Sequence, residues 1–115
     1  MNALIEKQRG TLIGHCGLLV QTVDDILELE IGYSLLPAFW GRGYAHEAAK
    51  KCQDFAFNNK LAESLISIIS KTNIPSQSVA TRNGMTIEKS TNYNGNEVFI
   101  YRISNRDWQQ RNSLL

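Results

Sequence analysis

The chain is poor in cysteine, proline and charge of one sign, and no apolar run is long enough to cross a bilayer. Two cysteines and two prolines occur in 115 residues. Cys16 and Cys52 offer neither a metal-ligand spacing nor a disulfide framework, and read as buried or half-buried free thiols of a reducing compartment. No stretch approaches the ~20 apolar residues of a membrane helix, and residues 1–10 carry no apolar signal segment. Twelve Lys and Arg stand against eleven Asp and Glu, a balance that gives no support to a nucleic-acid or membrane-surface partner. Repeats, linkers and low-complexity tracts are absent as well. What these absences leave is one cytoplasmic domain over residues 1–115, with a single core and little stability to spare.

Periodicity supplies the elements. Ala3 to Gln8 reads as a short strand and Leu12 to Gln21 as a second, where Gly14 and Gly17 predict a bulge or a close backbone approach. After a polar turn at Thr22 to Asp25, Ile26 to Leu35 is the clearest strand. Leu27, Leu29, Ile31, Tyr33 and Leu35 alternate onto one face, while Glu28, Glu30, Gly32 and Ser34 take the other. Two carboxylates and a glycine on one strand face require solvent or a site. A helix follows Gly41 and Gly43 and runs to about Asn59, with Ala45, Ala48, Ala49, Cys52, Phe55 and Ala56 at helical spacing. Leu65 to Ile69 is a short apolar strand. Thr72 or Asn73 can cap a second helix that tolerates Pro75 in its first turn and stops at Gly84. Asn94-Gly95 predicts a hairpin between Met85 to Tyr93 and Glu97 to Ile103. Ser104 to Leu115 reads as a polar, partly frayed tail, with Asp107 and Trp108 starting a last helical turn. Strands and helices in this order make an α+β domain with a mixed sheet and two main helices.

One segment carries chemistry. Trp40-Gly41-Arg42-Gly43-Tyr44-Ala45 lies between a strand and a helix. Its glycines let the backbone turn tightly, so that amides at the helix start can converge on an anion such as a pyrophosphate. The segment is no P-loop, since no Gly-Lys-Ser/Thr follows, and no dinucleotide fingerprint, since His46 replaces the third glycine. His15 and Cys16, adjacent on a strand, point to opposite faces and cannot act as a thiol–imidazole pair.

Glu30-Ile31-Gly32-Tyr33 with Pro37, then Trp40 to Ala45 with the Glu47-Ala48 pair, closely resembles the ribosomal-protein N-acetyltransferase (RimJ/RimL-like) branch of the GNAT superfamily. Asn73-Ile74-Pro75-Ser76, continuing through Val79 to Gly84, resembles a second motif of that family, with Met85 in place of its aromatic. The resemblance covers roughly Leu12 to Ile103. It implies a GNAT-like, mostly antiparallel mixed sheet that here lacks the family's N-terminal strand and helices. It implies acetyl-CoA as co-substrate and an amine as acceptor, without a metal. The pyrophosphate would rest on the segment of Trp40, Gly41, Arg42, Gly43, Tyr44 and Ala45. The pantetheine arm would pair like an added strand with Tyr33, Ser34 and Leu35. Asn73 would hold the arm or simply cap its helix, and Ser76 would lie near the sulfur or merely begin that helix.

An attacking amine must be neutral. Lysine titrates near about 10.4 and an α-amino group near about 8, so a base is needed. Glu30 matches the position of the family's strand carboxylate, and Glu28 is the reserve. Ser76 is the candidate donor to the departing thiolate, since Ala80 stands where many relatives carry a tyrosine acid. Two readings stay open. One is an N-acetyltransferase acting on a protein N-terminus or a small molecule; the other is a non-catalytic CoA-binding or interaction module. A homodimer that covers the early sheet edge is the expected assembly, and a fragment of a longer or split protein is the third possibility.

Overall fold

The computed structural model describes residues 2–6, 11–35 and 43–113. Six strands form one sheet: β1 (Asn2–Glu6), β2 (Thr11–Val23), β3 (Ile26–Leu35), β4 (Ser64–Ser70), β5 (Thr86–Tyr93) and β6 (Asn96–Ser104). Their spatial order is β1-β2-β3-β4-β6-β5. Every neighbouring pair is antiparallel except β3 and β4, which run parallel. Three helices accompany the sheet: α1 (Tyr44–Asn58), α2 (Ile74–Arg82) and α3 (Asn105–Ser113). The α+β class and mostly antiparallel mixed sheet are as the sequence implies. Among the described residues the helices number three, not two.

Alternation builds the two faces. Cys16, Ile31, Leu65, Ile69, Tyr101 and Ile103 pack under the helices against Ala49, Ala56, Phe57 and Ala80. Val23, Ile66, Val98 and Ile100 form a second cluster on the opposite face, set there by the registers of β4 with β6 and the period of two along each strand. The bulge expected around Gly14 lies where β1 meets β2, between Leu4 opposite Gly14 and Ile5 opposite Leu12. Gly17 sits directly across from Gly32 in an unbroken ladder.

The turns follow local chemistry. Asn94 and Gly95 both hold positive φ, as a two-residue hairpin that follows the strands' twist demands. Asp24 and Asp25 adopt the same left-handed conformation between the paired Val23 and Ile26. Aspartates accept this geometry more readily than most residues, and Asp24 is anchored: its carboxylate meets Lys89 Nζ at 2.8 Å and accepts from Thr91 Oγ1 at 3.0 Å. These contacts show how far the sheet bends. Four strand spacings of about 4.8 Å separate β2 from β5 in a flat sheet, roughly 19 Å, yet the β2–β3 tip touches β5. The sheet therefore curls over its second apolar cluster.

Two sequence readings need correction. Residues 105–113 form a nine-residue helix rather than a frayed tail. Ser104 Oγ accepts from the Asp107 amide at 3.1 Å, and Ser104-x-x-Asp107 is a helix-start signature that the lack of apolar periodicity conceals. Trp108 then donates its indole N–H to Asp54 at 2.8 Å and lies 5.2 Å from the Phe57 ring. In α1, Phe55 is 58% exposed and Phe57 is the buried aromatic. The inward stripe is Ala45, Ala49, Gln53, Ala56 and Phe57. Gln53 belongs to it because its amide donates to the Asn83 carbonyl at 3.2 Å.

The two neighbouring phenylalanines test this assignment. Phe57→Ala is expected to cost about 3–5 kcal/mol, and Phe55→Ala less than about 1 kcal/mol, in urea unfolding. Equal losses would show that the α1 stripe is misplaced.

Candidate active site

At the middle of the sheet the β3–β4 ladder has one registered pair, Glu30 with Ile66. Beyond it, Ile31 to Leu35 stay paired with β2 on one side and have no ladder partner on β4 among the described residues. A backbone group that leaves a ladder in the interior needs another partner, and side chains supply two. The Ile68 amide donates to Glu30 Oε2 at 3.0 Å. Ser67 Oγ donates to the Ile31 carbonyl at 2.8 Å. Glu30 and Ser67 therefore stand where the strands part and hold them apart.

Glu30 is 7% exposed. Its other oxygen accepts from Gln21 Nε2 at 3.1 Å, and Gln21 Oε1 accepts from the Tyr93 hydroxyl at 2.8 Å. Burial pushes the Glu30 carboxyl above its ordinary 4.5, against the pull of the Ile68 amide and the Gln21 side chain. A carboxylate of raised pKa is better matched to taking a proton near neutrality than an ordinary one. Beside it on the same face lie Gly32 and, across the ladder, Gly17, so the backbone there carries no side chain. Glu28 is differently engaged. Arg102 grips both its oxygens through a guanidinium fork, with Nη1 to Oε1 at 3.1 Å and a second bond from Nη2 to Oε2. The same guanidinium reaches Glu88 and Ser64 Oγ.

On the helix face, Tyr33 donates its hydroxyl to the Ser76 carbonyl at 2.6 Å, which fixes the start of α2 over the opening. Its phenol is held above its usual pKa, chiefly by burial. Asn73 caps α2, accepting the Ser76 amide on Oδ1 at 3.2 Å. The cap reading is thus realised, and the Asn73 backbone amide donates to the Ser70 carbonyl at 3.0 Å. Glu30 and Tyr33–Ser76 approach the opening from opposite faces of the sheet.

Gly43 is the N-cap of α1, at φ 80° and ψ 0° with no side-chain cap bond. Among the described residues, a Cβ there would meet nothing within 4 Å. Trp40, Gly41 and Arg42 lie outside the described residues, as do the side chains of Ser34 and Leu35. Tyr44 and Ala45 open the first turn of α1, where helix geometry leaves amides aimed outward.

A family model described as an acetyltransferase (GNAT) domain matches residues 1–86. The chain belongs to the GNAT acetyltransferase family. This GNAT domain is 32% identical over 96 residues to the uncharacterised protein YkkB of Bacillus subtilis strain 168, an alignment that covers 84% of the chain and 56% of YkkB. An acetyltransferase structure from Agrobacterium tumefaciens strain C58 shares 32% identity and a TM-score of 0.69, covering 84% of this chain and 55% of that one. The aminoglycoside acetyltransferase AAC(6')-Ib, solved in complex with coenzyme A, shares the fold with a TM-score of 0.77 at 10% identity, over 90% of this chain and 66% of that one. The chain thus spans little more than half the length of the first two relatives.

The GNAT fold implies acetyl-CoA, and two features of this domain fit it. The parted strands leave a backbone edge that suits an extended arm, and Gly43 turns the chain into α1 in a left-handed conformation. Sequence reasoning singled out Glu30 and Asn73 and passed over Gln21, Tyr93 and Ser67, whose hydrogen bonds lie at or beside the parting of β3 and β4. A glutamine directly after the apolar Leu18 to Val20 run of β2 was the available signal for Gln21. Nothing local marks Tyr93, which lies 72 residues further along the chain.

The Gln21 bond favours the ionised form of Glu30, so its removal raises the carboxyl further. Gln21→Leu is expected to move the Glu30 midpoint upward in a 13C-carboxyl NMR titration. Between its unfolded and folded midpoints the folded chain binds the Glu30 proton more tightly. Glu30's contribution to stability therefore falls as pH rises from about 4.5 through the folded midpoint. A lower midpoint in Gln21→Leu would remove Gln21 from the site.

Proposed function

We propose that this GNAT domain binds acetyl-CoA along the parted edge of β3 and transfers its acetyl group to a primary amine presented on the Glu30 face. The observation that carries the reading is the combination of a broken β3–β4 ladder with a buried carboxylate of raised pKa at the break. Acetyl-CoA supplies an acetyl group activated as a thioester. The domain's own residues do the rest. Gly43, Tyr44 and Ala45, with Trp40, Gly41 and Arg42 before them, hold the pyrophosphate on the α1 amides. The backbone of Tyr33, Ser34 and Leu35 aligns the arm, and Asn73 adds a side-chain bond to it.

Glu30 takes the proton from the ammonium, directly or through one water, over the side-chain-free floor at Gly17 and Gly32. Glu28, neutralised by Arg102, serves the sheet rather than the reaction. A backbone amide of β3 steadies the oxygen that gains charge at the carbonyl carbon, and Ser76 donates to the departing sulfur. Glu30-Ile31-Gly32-Tyr33 and the Trp40 to Ala45 segment support the ribosomal-protein N-acetyltransferase branch, and with it a protein N-terminus or a small-molecule amine as acceptor.

Two variants separate binding from chemistry. Gly43→Val forces a β-branched residue into a left-handed conformation, which turns the first amides of α1 off the anion. Calorimetry is expected to show CoA affinity reduced at least about tenfold, equivalent to about 1.4 kcal/mol, with a smaller loss of folding stability. Undiminished CoA binding would reject the seat at Gly43. Glu30→Gln is expected to lower turnover on an amine panel by about 10²-fold at pH 7 while CoA affinity stays within a factor of two or so. Tight CoA binding by the parent with no turnover on any amine would favour the non-catalytic module.

A cytoplasmic homodimer completes the proposal. Val20 and Leu27 share the helix face near the β2–β3 tip and are 69% and 73% exposed, an apolar surface that a second copy would cover. Sedimentation equilibrium at micromolar concentration is expected to return twice the 13.0 kDa chain mass. A 13.0 kDa species would count against the dimer.

A further inference from the structure

The two cysteines, 36 residues apart in sequence, meet in the core. Cys16 Sγ on β2 and Cys52 Sγ on α1 lie 3.4 Å apart and share a hydrogen bond. Closing a disulfide requires the sulfurs to reach about 2.0 Å, a further approach of about 1.4 Å from the 3.4 Å contact. The two thiols are unequal in access: Cys16 is 2% exposed, while Cys52 is only half-buried. They are unequal in reactivity as well. The hydrogen bond shared with Cys16 holds Cys52 below the ordinary thiol range, the direction that favours the reactive thiolate. The shared hydrogen bond and then burial push Cys16 well above the ordinary thiol range.

We propose that Cys16 and Cys52 form a reversible peroxide-oxidation site, in which Cys52 reacts first and Cys16 closes an intramolecular disulfide that clamps α1 to β2. In the first step the Cys52 thiolate attacks one oxygen of hydrogen peroxide. A sulfur–oxygen bond forms and the oxygen–oxygen bond breaks. The departing hydroxide leaves as water on taking up the thiol's proton, and Cys52 becomes a sulfenic acid. In the second step the Cys16 sulfur attacks the Cys52 sulfur and the sulfur–oxygen bond breaks. The Cys16 proton leaves with the hydroxyl as water. Two thiols have then lost two electrons and two protons to one peroxide. A dithiol reductant reverses the change by thiol–disulfide exchange.

The location gives the bond its consequence. Cys52 lies about two and a half turns along α1 from Gly43, and Cys16 lies directly across the ladder from Tyr33. Tyr33 in turn holds the start of α2 through Ser76. A covalent link here ties the helix that begins at Gly43 to the strand pair that carries Tyr33 and Glu30. It is independent of whether the domain transfers an acetyl group.

The test uses the reduced full chain and hydrogen peroxide in small excess. Intact mass is expected to fall by two hydrogens, with both thiols blocked. Peptide mapping should recover a linked pair containing Cys16 and Cys52, and dithiothreitol should release it. In Cys16→Ser, oxidation should stall at a sulfenic acid on Cys52, one oxygen heavier and captured by dimedone. In Cys52→Ser, Cys16 should stay a free thiol under the same exposure. The clamp is read by hydrogen exchange, with α1 amides around Ala49 to Ala56 exchanging at least about tenfold more slowly in the linked chain. Sulfenic or sulfinic acid accumulating on Cys52 of the parent while Cys16 stays free would overturn the site. So would a link only between chains, or two thiols untouched by peroxide. A linked chain with unchanged exchange in α1 would overturn the clamp. If either serine variant fails to fold, the parent's peptide map decides.

Discussion

Backbone groups that leave a sheet must be repaid with other hydrogen bonds, and the way β3 and β4 meet that demand organises the molecule. One registered pair joins them at Glu30 and Ile66. Past that point the Glu30 carboxylate takes the Ile68 amide and the Ser67 hydroxyl serves the Ile31 carbonyl. A continuous ladder would be simpler but would close the sheet. Two polar side chains on the dividing strands keep it open without leaving these groups unsatisfied. The same carboxylate is thereby desolvated, so the device that parts the strands also raises the pKa of Glu30.

Curvature does the remaining work on that face. The β2–β3 hairpin bends until Asp24 meets Lys89 and Thr91 on β5 and Gln21 meets Tyr93. Beneath it Val23, Ile66, Val98 and Ile100 are dry. Arg102 ties the arrangement from the side by joining Glu28 of β3 to Glu88 of β5. Two acidic residues that alternate onto one strand face thus part company. Glu28 is absorbed by a guanidinium, while Glu30 keeps only neutral donors.

What could be read in the sequence was local. The alternation of Ile26 to Leu35, the Asn94-Gly95 turn, the Asn73 cap and the Gly84 stop each depend on neighbours within a few residues, and all four recur in the structure. The features that escaped were tertiary or ambiguous. The Tyr93–Gln21–Glu30 chain joins strands that no periodicity relates. The Cys16–Cys52 contact depends on how α1 crosses β2. Phe55 and Phe57 both lie near the apolar stripe of α1, and packing against Trp108 selects Phe57. In α3, a polar sequence with a single aromatic hid a helix whose start signal, Ser104 to Asp107, was in plain view. The turn into α1 was legible as glycines before a helix, and Gly43 takes the left-handed N-cap conformation there.

The anchored Asp24–Asp25 tip also bears on the order in which the molecule assembles. The β2–β3 and β5–β6 hairpins each close through two-residue turns, events of microseconds. The contacts that join them, Asp24 with Thr91, Gln21 with Tyr93 and Glu28 with Arg102, span 67, 72 and 74 residues. Such long closures carry the larger entropic cost and come after local pairing. Until they form, Glu30 is an ordinary solvated carboxylate on a hairpin. Its altered acidity is a property of the finished molecule, conferred when the two halves of the chain meet.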